Sequence, residues 1–201
     1  MGKWVDTTTE IIVWLITSGI LTAIGTTGIS YLKKGWALYQ FNRIDLVVSA
    51  TLAKSYALED TKRALGAVRG MLSLLHNGGQ PLQRSTPIYT TVEAEEVRDG
   101  YERLQDNWNN QGVDRFQKEL LYAMRSSEAG FVIVPVETTE GVLRGLYEYL
   151  SIKTVLVVYI TSTRKGDYFA EFHFAEPVTE EFIASKKELI RRFRNIIYLH
   201  M

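Results

Sequence analysis

The sequence of 201 residues contains no cysteine. This absence excludes disulfides, thiolate metal sites, iron–sulfur clusters and a cysteine nucleophile. Only three histidines occur, and they lie far apart along the chain. Glycine-rich phosphate loops, Gly-x-Ser-x-Gly and His-Glu-x-x-His are also missing. The sequence therefore predicts no enzyme, and no catalytic, cofactor-binding or metal-binding residues.

The chain also lacks an excess of either charge, with 23 Lys and Arg residues against 23 Asp and Glu residues. Nucleic-acid-binding domains are usually basic, so we expect no nucleic-acid partner. Hydrophobic residues make up 46% and charged residues 23% of the chain, which is typical of a folded protein. The length fits one domain, or one domain with an appendage.

Charged residues are absent between Glu10 and Lys33. As a helix, residues 11–32 would extend about 33 Å, enough to cross a hydrocarbon core of about 30 Å. We therefore predict a tail over residues 1–10 and a transmembrane helix over residues 11–32. A cleaved signal peptide fits less well because acidic residues precede the run. A buried helix of this length rarely lacks charge.

Small residues recur at four-residue spacing within this run. In lipid, such a face lets another helix approach closely and accept hydrogen bonds. We predict a helix-packing face formed by Ser18, Gly19, Thr22, Ala23, Thr26, Thr27 and Ser30.

Basic and aromatic residues follow the run in a predicted juxtamembrane segment over residues 33–43. The anchoring residues are Lys33, Lys34, Trp36, Tyr39 and Arg43. Only Lys3 precedes the run, so the positive-inside rule places the N-terminus outside. The domain that follows is then expected in the cytoplasm, or on the equivalent side of an organelle membrane.

Residues 44–127 are predicted to be helical. Apolar residues recur at helical spacing over 44–76. Thr90 and Glu93 match a capping box, and the apolar residues from Ala94 to Trp108 follow in steps of three and four. These patterns indicate long amphipathic helices.

The pattern changes in residues 129–201. Apolar runs predict strands over 131–136 and 154–161, joined by a helix, and this crossover predicts that the two strands are parallel neighbours. A hairpin loop then leads to a third strand over 167–174, and a last helix begins at Thr179. The predicted fold class is α+β: one transmembrane helix, long amphipathic helices and a small three-stranded β-α-β-β-α unit.

The third predicted strand carries Glu171 and His173 on one face, opposite Phe172 and Phe174. A Glu-x-His pair can hold a metal ion or act as acid and base. Two residues alone indicate little, so we interpret this face as an ordinary exposed strand surface.

The last predicted helix is basic, with five basic residues against one acid over residues 184–201. Such a helix is suited to docking on an acidic subunit or on anionic lipid headgroups, with a plain solvated face as the alternative. The candidate docking residues are Lys186, Lys187, Arg191, Arg192 and Arg194.

Two segments share a pattern with a known family. Phe131–Gly141 is an apolar strand leading into VETTEG, and Val155–Asp167 is an apolar strand leading into a Lys-Gly-Asp loop. With the anchor and long helices before them, they resemble an uncharacterised family of single-pass membrane-anchored proteins of cyanobacteria and chloroplasts. The resemblance implies a photosynthetic host membrane and assigns no functional residues.

Together these features predict a non-catalytic accessory, scaffold or assembly subunit of a larger membrane complex, with other membrane-protein subunits as partners. One alternative is a membrane-tethered ligand-sensing or signalling domain, with its cleft at the ends of strands 131–136 and 154–161. A second alternative is a small membrane-anchored hydrolase that uses His173 and Glu171.

Overall fold

A computed structural model describes residues 33–40, 43–77, 89–105, 109–113, 120, 124–125 and 129–201. The chain forms two compact units, residues 1–49 and 50–201. In the first unit the described residues are helical, and the side chains of the predicted juxtamembrane residues are exposed. The predicted tail, transmembrane helix and small-residue face lie outside the described residues.

No helix in the described part of the chain combines the length and the apolar character that crossing a membrane requires. For that part of the chain, the prediction of a single-pass membrane protein with its N-terminus outside is wrong. The apolar residues of the second unit are instead buried against a sheet of that same unit.

The second unit is built on a six-stranded sheet with the strand order β3-β2-β1-β6-β5-β4. Each neighbouring pair is antiparallel. The strands are β1 (Arg69–His76), β2 (Tyr89–Val97), β3 (Asn109–Gly112), β4 (Phe131–Pro135), β5 (Thr154–Ser162) and β6 (Asp167–Phe174). The helices named here are α1 (residues 50–65), α2 (Gly141–Tyr149), α3 (Glu180–Ser185) and α4 (Lys187–Leu199), with a 3₁₀ turn at Val136–Thr138. Residues 120 and 124–125 are also helical.

The predicted three-stranded unit is therefore corrected to a six-stranded sheet. β1 and β2 occupy segments that the apolar spacing assigned to helices. Both faces of β1 are covered, and its first five residues are all buried. A strand buried on both faces shows a nearly continuous apolar run without period-two alternation, which is hard to distinguish from a helix.

The predicted parallel pairing of the two apolar strands is also wrong, because β4 and β5 are antiparallel. The connection between them leaves and returns at the same end of the sheet. The backbone N–H of Val136 donates to the carbonyl of Lys153 over 3.0 Å, which holds both ends of this connection together. A helix-containing connection therefore does not by itself imply a parallel crossover.

The other elements of the C-terminal half are confirmed: β4, α2, β5, the hairpin loop and β6. Thr179 caps α3, and its hydroxyl accepts from the backbone N–H of Phe182 at 3.3 Å. The predicted last helix breaks at Lys186 into α3 and α4.

Each face of the sheet has its own apolar core. One core packs residues of the sheet with residues of α1, α3 and α4, including Leu58, Ile183 and Phe193. In it the rings of Phe172 and Phe193 meet edge to face, with centroids 5.3 Å apart. The opposite core includes Leu143 of α2 and is the side on which the candidate site lies.

Candidate functional site

A cavity of about 30 Å³ lies between the sheet and α2. Its apolar lining includes Leu75, Leu143, Leu146, Val157 and Phe169. Its polar lining, among the residues that the structure describes, consists of Ser73, Thr90, Tyr147 and Glu171. A cavity needs about 10–15 Å³ of such volume to hold one water molecule. The space therefore fits about two waters or a ligand of a few non-hydrogen atoms.

The period of two along β1 and β6 places the polar side chains on this face. In the β1–β6 register, Arg69 is opposite His173, Met71 is opposite Glu171, and Ser73 is opposite Phe169. Alternate residues of both strands therefore form one continuous surface, with a charged end and an apolar end.

Arg69 is the cation at the charged end, and its side chain is fully buried at 0% exposure. Its Nε lies 2.8 Å from Oε1 of Glu95, an ion pair in which the N–H does not point along a good hydrogen-bond direction. Its Nη2 donates to the carbonyl oxygen of Glu102. Burial lowers the pKa of Arg69, and Glu95 partly offsets this effect.

Glu95 is the matching buried anion on β2. One of its carboxylate oxygens accepts from the backbone N–H groups of Leu104 and Gln105, at 2.8 and 2.9 Å. The carboxylate therefore holds the chain that follows β2 against the sheet, in addition to pairing with Arg69. A buried carboxylate needs such donors because its desolvation is costly.

His173 connects Arg69 to Glu171. Its Nδ1 lies 3.4 Å from Nη1 of Arg69, and its Nε2 lies 3.0 Å from Oε2 of Glu171. A guanidinium only donates, so Nδ1 is the acceptor and Nε2 carries the proton. His173 is therefore a neutral bridge whose two ring nitrogens are both engaged.

Tyr147 links α2 to this network. Its hydroxyl donates to Oε2 of Glu171 over 3.4 Å, and its ring stands edge-on to the His173 ring with centroids 5.3 Å apart. Tyr147 is the point at which the helix above the cavity contacts the charged groups of the sheet.

Burial, and then the Glu171 carboxylate, raise the pKa of Tyr147 well above its ordinary value of 10.0. A phenol with a raised folded-state pKa stabilises the fold below the unfolded pKa, and this contribution declines as the pH rises above it. We expect the free energy of unfolding to fall above about pH 10, by up to about 1.4 kcal/mol per pH unit for this group. Urea titrations across this range should show a shallower fall for Tyr147→Phe, and an unchanged one for the exposed Tyr198→Phe.

The structure changes the interpretation of the Glu-x-His pair. Glu171 and His173 do share a face, as predicted, but this face is covered and His173 is fully buried at 0% exposure. The partners Arg69, Glu95 and Tyr147 were not predicted. A signal was available for Arg69, which is the charged residue at the start of a mostly apolar strand, but not for Glu95, which lies among other glutamates in β2.

The candidate docking residues lie at the other end of the chain. Lys187, Arg191 and Arg192 are exposed on α4, and Arg191 pairs with Glu188 at 3.0 Å. Lys186 places its Nζ 5.7 Å from the centroid of the Phe182 ring. Arg194 is half-buried beside Gly130. Docking by this helix stays a prediction.

A larger open groove of about 510 Å³ is lined by residues including Leu65, Arg98, Glu176, Pro177 and Phe182. Among the described lining residues of the groove, the charged side chains are Arg98 and Glu176, which have opposite charge. The groove is open rather than enclosed by the cores of the domain, so it offers a ligand fewer apolar contacts per atom.

No family model and no curated protein matches this chain. Similar solved structures exist. The blue-light-absorbing form of the PixJ GAF domain of Thermosynechococcus elongatus has 14% identity and a TM-score of 0.53, covering 77% of this chain and 88% of that one. A far-red cyanobacteriochrome photoreceptor has 14% identity and a TM-score of 0.52, covering 86% and 97%.

The photoproduct state of a GAF domain of Synechocystis has 14% identity and a TM-score of 0.51, covering 76% of this chain and 94% of that one. At this level of identity the likeness shows the fold alone, and that fold is GAF-like. The prediction of an accessory, scaffold or assembly subunit of a membrane complex is corrected on this ground. The predicted ligand-sensing alternative agrees better with the fold.

Proposed function

We propose that this domain senses a small molecule that binds in the cavity between the sheet and α2. The observation that carries the proposal is the composition of this cavity: an apolar enclosure into which a few polar groups converge. This combination is typical of ligand sites, in which apolar contacts supply affinity and placed polar groups supply specificity. The predicted cleft at the strand ends is thus replaced by a site on the face of the sheet.

The contact between Tyr147 and Glu171 gives such a site a way to signal. A ligand that bonds to Glu171 competes with the Tyr147 hydroxyl, so its binding changes how α2 packs on the sheet. Residues with left-handed backbone conformations stand at both ends of this helix, Gly141 with φ 63° and Ser151 with φ 56°. A non-glycine residue in this region costs about 1–2 kcal/mol. Movement of α2 can relieve that cost.

We further propose that the domain is not an enzyme. A general base needs a free nitrogen or oxygen within reach of the proton it removes. Both ring nitrogens of His173 are occupied, by Arg69 and Glu171. This arrangement favours a structural and electrostatic role for the pair over the predicted hydrolase alternative.

Light absorption is the property named for some of the similar structures. In this chain a thioether link to a chromophore is excluded because no cysteine is present. The cavity, at about 30 Å³, is also far smaller than the roughly 300–1,000 Å³ of sites for drug-sized ligands. We therefore expect the purified chain to show no visible absorbance band. A visible band that purifies with the folded chain would favour light sensing.

Filling the cavity tests the proposed site. Ser73→Leu adds apolar volume at the cavity wall, and we expect it to abolish binding of small-molecule hits at a cost of about 1–3 kcal/mol in stability. Ser185→Leu makes the same change at an exposed position of α3 and should preserve binding. Saturation-transfer NMR against a fragment library gives the comparison. Hits that bind Ser73→Leu as well as the unmodified chain would contradict the site.

A further inference from the structure

We infer that the cavity is selective for small protonated amines, whose positive charge Glu171 receives. This inference rests on the proposed function and specifies the chemical class of the ligand. It follows from the charge balance of the buried network and from hydroxyl groups that the fold leaves without partners.

The charge balance of the network is negative. Arg69 is its cation, and it interacts electrostatically with the carboxylates of Glu95, Glu102 and Glu171. His173 adds no charge, because Nδ1 must accept from Arg69 and the ring is therefore neutral. Glu95 forms an ion pair with Arg69 and accepts hydrogen bonds from two backbone N–H groups. The described hydrogen-bond donors to Glu171 are His173 and Tyr147, and both are neutral.

Among the described residues, Glu171 is also the one charged residue that lines the cavity. Its side chain is 16% exposed, and its Oε2 receives Nε2–H of His173 and the Tyr147 hydroxyl. The guanidinium of Arg69 forms its hydrogen bonds to His173 and to the Glu102 carbonyl, and none of them goes to Glu171. A largely buried carboxylate beside an apolar space is stabilised by a cation placed in that space.

Two buried hydroxyls face the same cavity. Ser73 is 2% exposed and Thr90 is 5% exposed, and both line the space. Within the described ranges of the chain, neither hydroxyl has a hydrogen-bond partner. Buried polar groups are normally paired, so an unpaired one at a cavity indicates a missing partner. Ser73 lies diagonally across from Glu171 in the β1–β6 register.

An ammonium group matches this arrangement because it carries three donors and no acceptor. One donor reaches Glu171 and a second reaches Ser73, while a short alkyl chain contacts the leucine side chains from α2. A carboxylate or phosphate would instead place a second negative charge beside Glu171, and the described residues that line the cavity include no cation to receive it. The site therefore rejects anions and accepts cations.

The test compares three probes of similar size with the full chain at pH 7: ethylamine, ethanol and acetate. Two-dimensional NMR titration detects the millimolar binding expected of ligands with so few atoms. We expect ethylamine to bind at least tenfold more tightly than ethanol, with amide shifts at Ser73, Tyr147 and Glu171, and acetate to cause no such shifts. Equal binding of ethylamine and ethanol would overturn the amine preference.

Glu171→Gln keeps the shape of the side chain and removes its charge. We expect it to weaken ethylamine binding tenfold to a hundredfold, the range for hydrogen bonds to charged groups, and to leave ethanol binding unchanged. Ser73→Ala should weaken ethylamine binding severalfold without loss of charge. The control Glu188→Gln, at an exposed position of α4, should have no effect.

The outcomes separate the two claims. One possible result is that Ser73→Leu abolishes binding of the library hits while Glu171→Gln and Ser73→Ala bind ethylamine as the unmodified chain does. The amine preference is then wrong, and the sensing site stands. If neither ethylamine nor any library hit shifts the cavity amides, both claims fail.

Discussion

Gly166→Ala is expected to lower the free energy of unfolding by about 3–5 kcal/mol, one of the two largest effects we predict. Gly166 ends the hairpin loop between β5 and β6 with φ 146°, a conformation that L side chains rarely adopt. A Cβ added there would lie 1.8 Å from the carbonyl oxygen of Leu75. That oxygen belongs to the backbone of β1 and cannot move aside without disturbing the β1–β6 pairing.

Urea unfolding followed by far-ultraviolet circular dichroism measures this loss. Gly145→Ala is the matched control, because an added Cβ meets nothing within 4 Å at this exposed position inside α2. Alanine is more favourable than glycine in a helix interior, so Gly145→Ala should raise the free energy of unfolding by about 0.5–1 kcal/mol. A loss below about 1 kcal/mol for Gly166→Ala would show that the hairpin tolerates a side chain, contrary to this structure.

Arg69→Met is expected to cost about 3–5 kcal/mol, because it breaks a buried ion pair by removing one partner. Glu95 would lose its cation, the Glu102 carbonyl its donor and His173 the group that fixes its tautomer. Methionine keeps much of the apolar volume, so the loss reports mainly on charge and hydrogen bonding.

Arg144→Met provides the control for that substitution. Arg144 forms an exposed pair with Glu148 at 2.9 Å on α2. Exposed pairs of this kind contribute about 0.3–0.5 kcal/mol. The same urea experiment should therefore separate the two variants by several kcal/mol. Similar losses for both would mean that Arg69 is not the centre of a buried network.

The sequence predicted the C-terminal elements well because their patterns are unambiguous. The alternation of Tyr168, Ala170 and Phe172 with Phe169 and Glu171 has a period of two, and β6 follows it. α2 lies in the predicted helical segment, and Thr179 caps the last helical region as predicted. In each case the local pattern and the tertiary environment favour the same element.

β1 and β2 show why the rest of the fold was not predicted. Leu72 and Leu75 are three residues apart and also lie on opposite faces of a strand, so they satisfy both a helical and a two-sided strand pattern. Thr90 and Glu93 have capping-box spacing, yet both lie in β2, where Thr90 pairs with Leu75 of β1 and Glu93 is the extra residue at a register shift. The decisive interaction is the pairing of distant segments, which local periodicity does not contain.

Prediction of the candidate site depended on the same assignment of the β1 and β2 segments. Glu171 and His173 were recognised as neighbours, but Arg69 and Glu95 approach them only when β1 lies beside β6 and β2 lies beside β1. With those segments taken as helices, the Glu-x-His face had no covering layer and was interpreted as exposed. The burial of the site is therefore a property of the strand order, which this sequence alone did not determine.

Amide chemical-shift mapping of a bound ligand on the full chain tests the central claim most directly, because it locates the site without relying on a substitution. We predict that the largest changes cluster at Ser73, Glu171 and α2, whose Tyr147 contact responds to the ligand. Changes centred instead on the open groove at Arg98 and Phe182, with α2 unaffected, would contradict a sensing cavity between the sheet and α2.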